Sequence, residues 1–96
     1  MTSMPTLLIM ERLVIDLHSP EPSYQQLARQ LRDRITSGQI GPREALPSIT
    51  YLTGETGLAV GTVRRAIALL VEEGYAYTVP GRGTFVVPED ERRGPE

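Results

Sequence analysis

Residues 46–73, LPSITYLTGETGLAVGTVRRAIALLVEE, constrain the fold more tightly than any other part of the chain. Pro47 and Ser48 mark a helix start: a serine oxygen is a good N-cap, and Ile49, Leu52 and Thr53 open an i, i+3, i+4 face. Gly54 and Gly57 flank Glu55 and Thr56, and a glycine there lets the chain leave a helix at positive φ. A second helix is expected from about Val60 to Glu73, with Val63, Ile67, Leu70 and Val71 at helical spacing. Thr62, Arg64, Arg65 and Ala68 fall on its other faces, so both arginines point away from the core. A short helix, a glycine turn and a longer helix with cations in its first turns have the geometry of a helix-turn-helix.

The flanking sequence completes a domain around this pair. Ser23 reads as the N-cap of an earlier helix at about 23–37, with Leu27, Leu31 and Ile35 on its inner face, Tyr24 and Ala28 beside them, and Gly38 as its stop. Residues 39–45, QIGPREA, form a loop shaped by Gly41 and Pro42, with Ile40 and Leu46 able to anchor it. After Gly74 the period changes to two. Residues 75–79 and 84–87 read as strands joined by a tight turn at 80–83, a hairpin with Arg82 at its tip. Residues 12–17, RLVIDL, alternate in part and suit a short strand, whereas 1–11 carry no turn chemistry or sustained period and are expected to be mobile. The charged, proline-bounded end is expected to lack structure. The expected class is mainly α (α+β): three helices and a two-stranded wing, a winged helix-turn-helix. Its parts are an N-terminal arm at 1–19, the winged domain at 20–87 and a tail at 88–96.

Ninety-six residues suffice for one modest core. No apolar run approaches the roughly 18 residues of a membrane span. The opening MTSMPTLLIM lacks a basic region and meets Glu11 and Arg12 at once, so it is not expected to be a signal peptide. Without cysteine there is no disulfide framework or thiolate metal site, and the expected location is cytoplasmic. The net charge of −2 argues weakly against a polyanion as partner, and charge alone does not decide the question. Residues 24–87 hold seven arginines against five acids, while the remaining acids cluster in the flanks. There is no lysine, and guanidinium groups suit bidentate contacts to phosphate and guanine.

Two features carry the chemistry. Ala59, Gly61 and Thr62 are small residues at a helix start, where free N–H groups and the helix dipole favour phosphate and backbone can approach DNA closely. Arg64 and Arg65 lie about 100° apart on that helix, so one faces a groove while the other reaches a flanking phosphate or an acid such as Glu72 or Glu73. At the wing, Gly81 and Gly83 remove bulk beside Arg82, whose guanidinium suits the negative potential of a narrow minor groove. Ser48 and Thr50 are hydroxyl donors at the start of the motif, Ser48 doubling as a cap, and Tyr24 offers a ring for packing and a hydroxyl for an edge contact. Each has a plainer reading as a solvated face, a cap or a turn. An enzyme is not expected. The single His18 sits in a proline-bounded loop without a partner at metal or triad spacing, and no cofactor or metal is implied.

The segments YQQL at 24–27, LRDRI at 31–35, SG at 37–38, LPS at 46–48, TVRRA at 62–66 with Leu70, EG at 73–74 and GRGTFV at 81–86 resemble the DNA-binding domain of GntR-family bacterial transcriptional regulators. The resemblance covers about residues 20–87. It implies a homodimeric regulator, expected to be a repressor, that binds double-stranded DNA at a pseudo-palindromic operator, with the helix at 60–73 in the major groove and the wing at 80–84 in the minor groove. By position it assigns Arg64 a base contact, Thr62 a hydroxyl contact, and Gly81 with Arg82 the wing contact. Two departures stand out: Ile49, Thr50 and Tyr51 occupy positions where the family often has Glu-Arg-Glu, and Ala59 and Val60 those where it often has Ser/Thr-Arg. Operator preference is therefore expected to differ or weaken. Family members usually continue into a ligand-sensing, dimerising domain; here a charged tail follows the wing, so no small-molecule effector is expected, and pairing of residues 7–17 is one route to a dimer. The competing readings are an adaptor that uses the winged helix to bind protein, and a non-specific architectural DNA binder.

Overall fold

A computed structural model of the chain describes residues 12–92. Three helices, α1 (Ser23–Thr36), α2 (Ile49–Thr56) and α3 (Val60–Glu72), are followed by an antiparallel hairpin, β1 (Ala76–Val79) and β2 (Gly83–Val86). This is the expected winged helix-turn-helix.

The helical periodicity places the core where it should. Leu27, Ala28, Leu31 and Ile35 of α1 are buried against Val63, Ala66, Ile67 and Leu70 of α3, with Leu52 of α2 between. The hairpin closes the core with Ala76 and Val86. Burying one such leucine contributes about 1.5–3 kcal/mol. Val71 departs from the expected stripe and is exposed at the rim of the helix, facing the hairpin residues Thr78 and Thr84 across an open concavity.

Helix ends follow local chemistry with one exception. The cap of α1 is Pro22, not Ser23; Ser23 is the first helical residue, and no side chain caps this end. Ser48 caps α2 as expected, its Oγ accepting from the Tyr51 amide at 3.0 Å. Gly54 stays inside α2, and Gly57 is the exit, at φ 77°. Thr56 secures that turn, its Oγ1 donating to the Leu52 carbonyl and accepting from the Leu58 amide. At the end of α3, Gly74 adopts φ 86° while its amide and that of Tyr75 bond back to the Val71 and Leu70 carbonyls, closing the helix with a left-handed residue.

The loop before α2 does more than connect. Its Arg43 to Leu46 backbone pairs with β2: Arg43 N donates to Val86 O, Val86 N to Glu44 O, and Leu46 N to Thr84 O. Ala45 forms a bridge with Phe85, so β2 is flanked on both sides.

At the other end, residues 12–16 do not join the sheet as a strand. Their pairing partners are side-chain amides of α1. Gln30 accepts from the Val14 amide and donates to the Val14 carbonyl; Gln26 does the same for Asp16 and also donates to Glu21 O. Gln26 is 3 % exposed, and its amide is fully satisfied by these three bonds. The tail also departs from expectation. Pro88 leads into a 3-10 turn at Glu89–Glu91, where Glu91 pairs with Arg43 and Arg92 donates to the Val87 carbonyl. The expectations for residues 1–11 and 93–96 fall outside the described residues. None of the described helices is long and apolar enough to cross a membrane.

Candidate nucleic-acid interface

The start of α3, like that of α1, has no side-chain cap. Its N-cap is Ala59, in extended conformation with no side-chain oxygen to offer. The Thr62 and Val63 amides bond to the Ala59 carbonyl, but those of Val60 and Gly61 have no acceptor among the described residues. Alanine in place of Ser, Thr, Asn or Asp at this position costs about 0.5–2 kcal/mol of helix stability. Unfilled N–H groups at the positive end of a helix dipole form an anion-binding position. Ala59, Val60 and Gly61 are all exposed, and a Cβ built on Gly61 would meet open space. Thr62 is half-buried beside them.

One turn further on, Arg64 and Arg65 diverge as their helical offset requires. The Arg65 guanidinium lies 3.9 Å from the centroid of the Tyr24 ring, a cation–π contact that ties α3 to the start of α1. This replaces the expected reach to Glu72 or Glu73; Glu73 instead pairs with Arg32 at 2.9 Å. The Tyr24 ring packs, while its hydroxyl accepts from Gln25 Nε2. Arg64 is exposed without an ion pair or hydrogen bond, and it lines an open concavity of about 330 Å³ with Ile49 of α2, Ile67, Ala68 and Val71 of α3, and Thr78 and Thr84 of the hairpin. The concavity joins Arg64 to the wing.

The wing tip is a tight turn. Pro80 presets one central residue, Gly81 supplies φ 77° at the next, and the Arg82 amide closes back on the Val79 carbonyl at 2.9 Å. Gly83 (φ 129°) then opens β2 opposite Val79. Both glycines and Arg82 are exposed, and the Arg82 side chain has no partner among the described residues. Ser48 is committed to its cap, and Thr50 is exposed in the first turn of α2.

Charge pairing separates the arginines. Arg29 is held by Glu21 at 2.8 Å, Arg32 by Glu73 and Arg43 by Glu91. The Arg29 hydrogen bond pulls the Glu21 carboxyl below its ordinary range, and bonding to Tyr77 with the charge of Glu91 raises Arg43. Among the described residues, the guanidiniums of Arg12, Arg64 and Arg82 make no hydrogen bond, ion pair or ring contact within the chain, and Arg65 makes only its contact with the Tyr24 ring. Of the three arginines that the sequence singles out, Arg64 and Arg82 are thus open and Arg65 is stacked.

Tyr51 in the first turn of α2 and Val60 at the first position of α3, which the sequence marks only as departures from the family pattern, are exposed apolar side chains, 53 % and 48 % exposed. The signal was present: each stands where helical periodicity puts a residue outside the core.

The family model described as bacterial regulatory proteins, gntR family, matches residues 23–86. The HTH-type transcriptional repressor NagR of Bacillus subtilis (strain 168) is 42% identical over 72 residues, which are 75% of this chain and 30% of NagR. The mannosyl-D-glycerate transport/metabolism system repressor MngR of Escherichia coli (strain K12) is 38% identical over 69 residues, 72% of this chain and 29% of MngR. The chain thus spans less than a third of the length of either relative. Among solved structures, YtrA from Sulfolobus acidocaldarius, a GntR-family transcription factor, superposes with TM-score 0.73 at 38% identity, covering 80% of this chain and 81% of that one. AraR(DBD) in complex with operator ORX1 gives TM-score 0.73 at 32% identity, covering 80% and 99%. On the fold, the order of its motifs and these similarities, the chain belongs to the gntR family of bacterial regulatory proteins.

Proposed function

We propose that the chain is a sequence-specific DNA-binding regulator of transcription that represses by occupying its operator as a homodimer. The observation that carries this reading is the set of unspent donors: the Val60 and Gly61 amides, Arg64 and Arg82 are all exposed, and none is used within the fold. Major-groove entry of α3 gives Arg64 the two acceptors of a guanine, while the open amides at the helix start take a phosphate. Val60 then meets a thymine methyl, an apolar contact that compensates in part for the missing arginine of the family pattern. Arg82 reaches into the adjacent minor groove between glycines that allow the tip to come close. AraR(DBD) in complex with its operator supports the same use of this fold. Repressor names among the relatives support the sign of regulation.

Selection of bound sequences from a random duplex pool, with the Arg64→Ala chain alongside, tests the proposal. A two-fold-symmetric motif is expected for the native chain. The variant should lose about 1–3 kcal/mol of discrimination at one base pair per half-site, roughly fivefold to 150-fold. Affinity should also fall steeply with salt as counterions are released. No enriched motif, with retention only at low salt, sinks sequence-specific regulation in favour of architectural binding.

A further inference from the structure

The N-terminal arm has one edge filled and one edge that takes no partner among the described residues. The Val14 and Asp16 main-chain groups point to α1 and are taken by Gln30 and Gln26. In an extended chain the intervening residues present theirs to the opposite side. The Leu13 and Ile15 amides and carbonyls have no partner among the described residues, although their side chains are anchored in the core. Val14 and Leu17, 67 % and 74 % exposed, are the most exposed large apolar side chains described. A half-paired edge held rigid by a helix is a template for strand addition.

We propose that this edge pairs with its own copy, so that residues 12–16 of two chains form an antiparallel two-stranded ribbon across a two-fold axis, ending at the turn that the Ser19 amide closes on the Asp16 carbonyl. The sequence commits the register. With Val14 on the axis, Leu13 exchanges both main-chain bonds with the partner's Ile15, and Arg12 faces the partner's Asp16. Arg12 is one of the unpaired arginines. Asp16 uses Oδ1 for the His18 amide, leaving its other oxygen available. Moving the axis to Leu13 or Ile15 sets Arg12 against Val14 or His18 and loses the charge pair. Only the Val14-centred register joins opposite charges on both sides, and cross-strand pairs of this kind select register. A ribbon of this length is marginal alone and gains strength when two half-sites on one duplex hold both chains.

The inference rests on the homodimer proposed above but not on DNA contact. It is tested on the full chain without DNA. The chain has no cysteine, so Val14→Cys introduces a unique thiol at an exposed position. Directly opposed residues in a non-hydrogen-bonded antiparallel pair have Cα atoms about 4.5 Å apart, within disulfide reach. Mild oxidation should convert Val14→Cys into a disulfide-linked dimer while Tyr51→Cys, also at an exposed position, stays largely monomeric. In sedimentation at high concentration, Arg12→Asp should reduce self-association of the native chain, and Arg12→Asp with Asp16→Arg should restore it. Equal cross-linking at the two cysteine positions, or self-association indifferent to the charge reversal, overturns the proposal. A dimer that cross-links here but shows no operator motif leaves this inference standing and removes the DNA reading; a chain that selects an operator yet never cross-links at Val14→Cys does the reverse.

Discussion

At the start of α2, Ser48 turns its hydroxyl oxygen onto the Tyr51 amide, and the first turn is closed by the protein itself. At the start of α3, three residues beyond the end of α2, Ala59 has no such oxygen, and two amides remain open. Both helices belong to one motif, so the difference is not one of fold class. The first helix is finished for stability, whereas the second leaves out a cap that a single substitution would supply. Missing local stabilisation of this kind is expected where the protein has another use for the donors.

Ala59→Asp should break the contrast most sharply. A carboxylate there caps α3 and favours the dipole, raising stability by about 0.5–2 kcal/mol in thermal or denaturant unfolding. The same charge faces phosphate, so affinity for a selected operator should fall by about tenfold or more in a binding titration. Stability and binding moving in opposite directions would be the signature; a gain in both would show that the open amides do not meet DNA. Ser48→Ala tests the other helix. It should cost about 1 kcal/mol of stability, with a smaller loss of DNA affinity than Arg64→Ala. The smallest effect belongs to a site remote from both helix starts. The Arg29 hydrogen bond lowers the folded-state pKa of Glu21 below its unfolded value. That contribution is present above the ordinary carboxylate range and is lost as pH falls through the lowered value. Glu21→Gln should therefore flatten the acid limb of a stability–pH curve slightly and leave neutral-pH DNA binding unchanged.

Much of the architecture was legible because burial follows period. Leu27, Leu31 and Ile35, then Val63, Ile67 and Leu70, declare their helices by spacing alone, and Gly57, Gly74 and Gly81 mark turns that need positive φ. What escaped depends on partners distant in sequence. A glutamine is expected at the surface, and nothing local says that the Gln26 amide will be buried as a surrogate strand partner for Asp16. Arg65 could be placed on a face but not onto the Tyr24 ring, forty-one positions earlier in the chain (65 − 24). The pairing of residues 43–46 with β2 was hidden for the same reason, since a loop containing Gly41 and Pro42 carries no alternation. At the interface, small residues and arginines were visible as a group. That Arg64 and Arg82 are left alone while Arg29, Arg32 and Arg43 are paired emerges only once the acids are in place.

The pairing of residues 43–46 with β2 also has a mechanical consequence. Leu46 is bonded to Thr84 near the wing and lies two positions before the Ser48 cap of α2. The wing therefore cannot swing away from the helix-turn-helix without breaking a ladder of main-chain bonds, and the two contact points behave like the fixed jaws of a caliper. A protein with stiff jaws leaves accommodation to the duplex. On the proposed mode of binding, base steps that yield easily between the major-groove and minor-groove contacts would be favoured even where no side chain touches them.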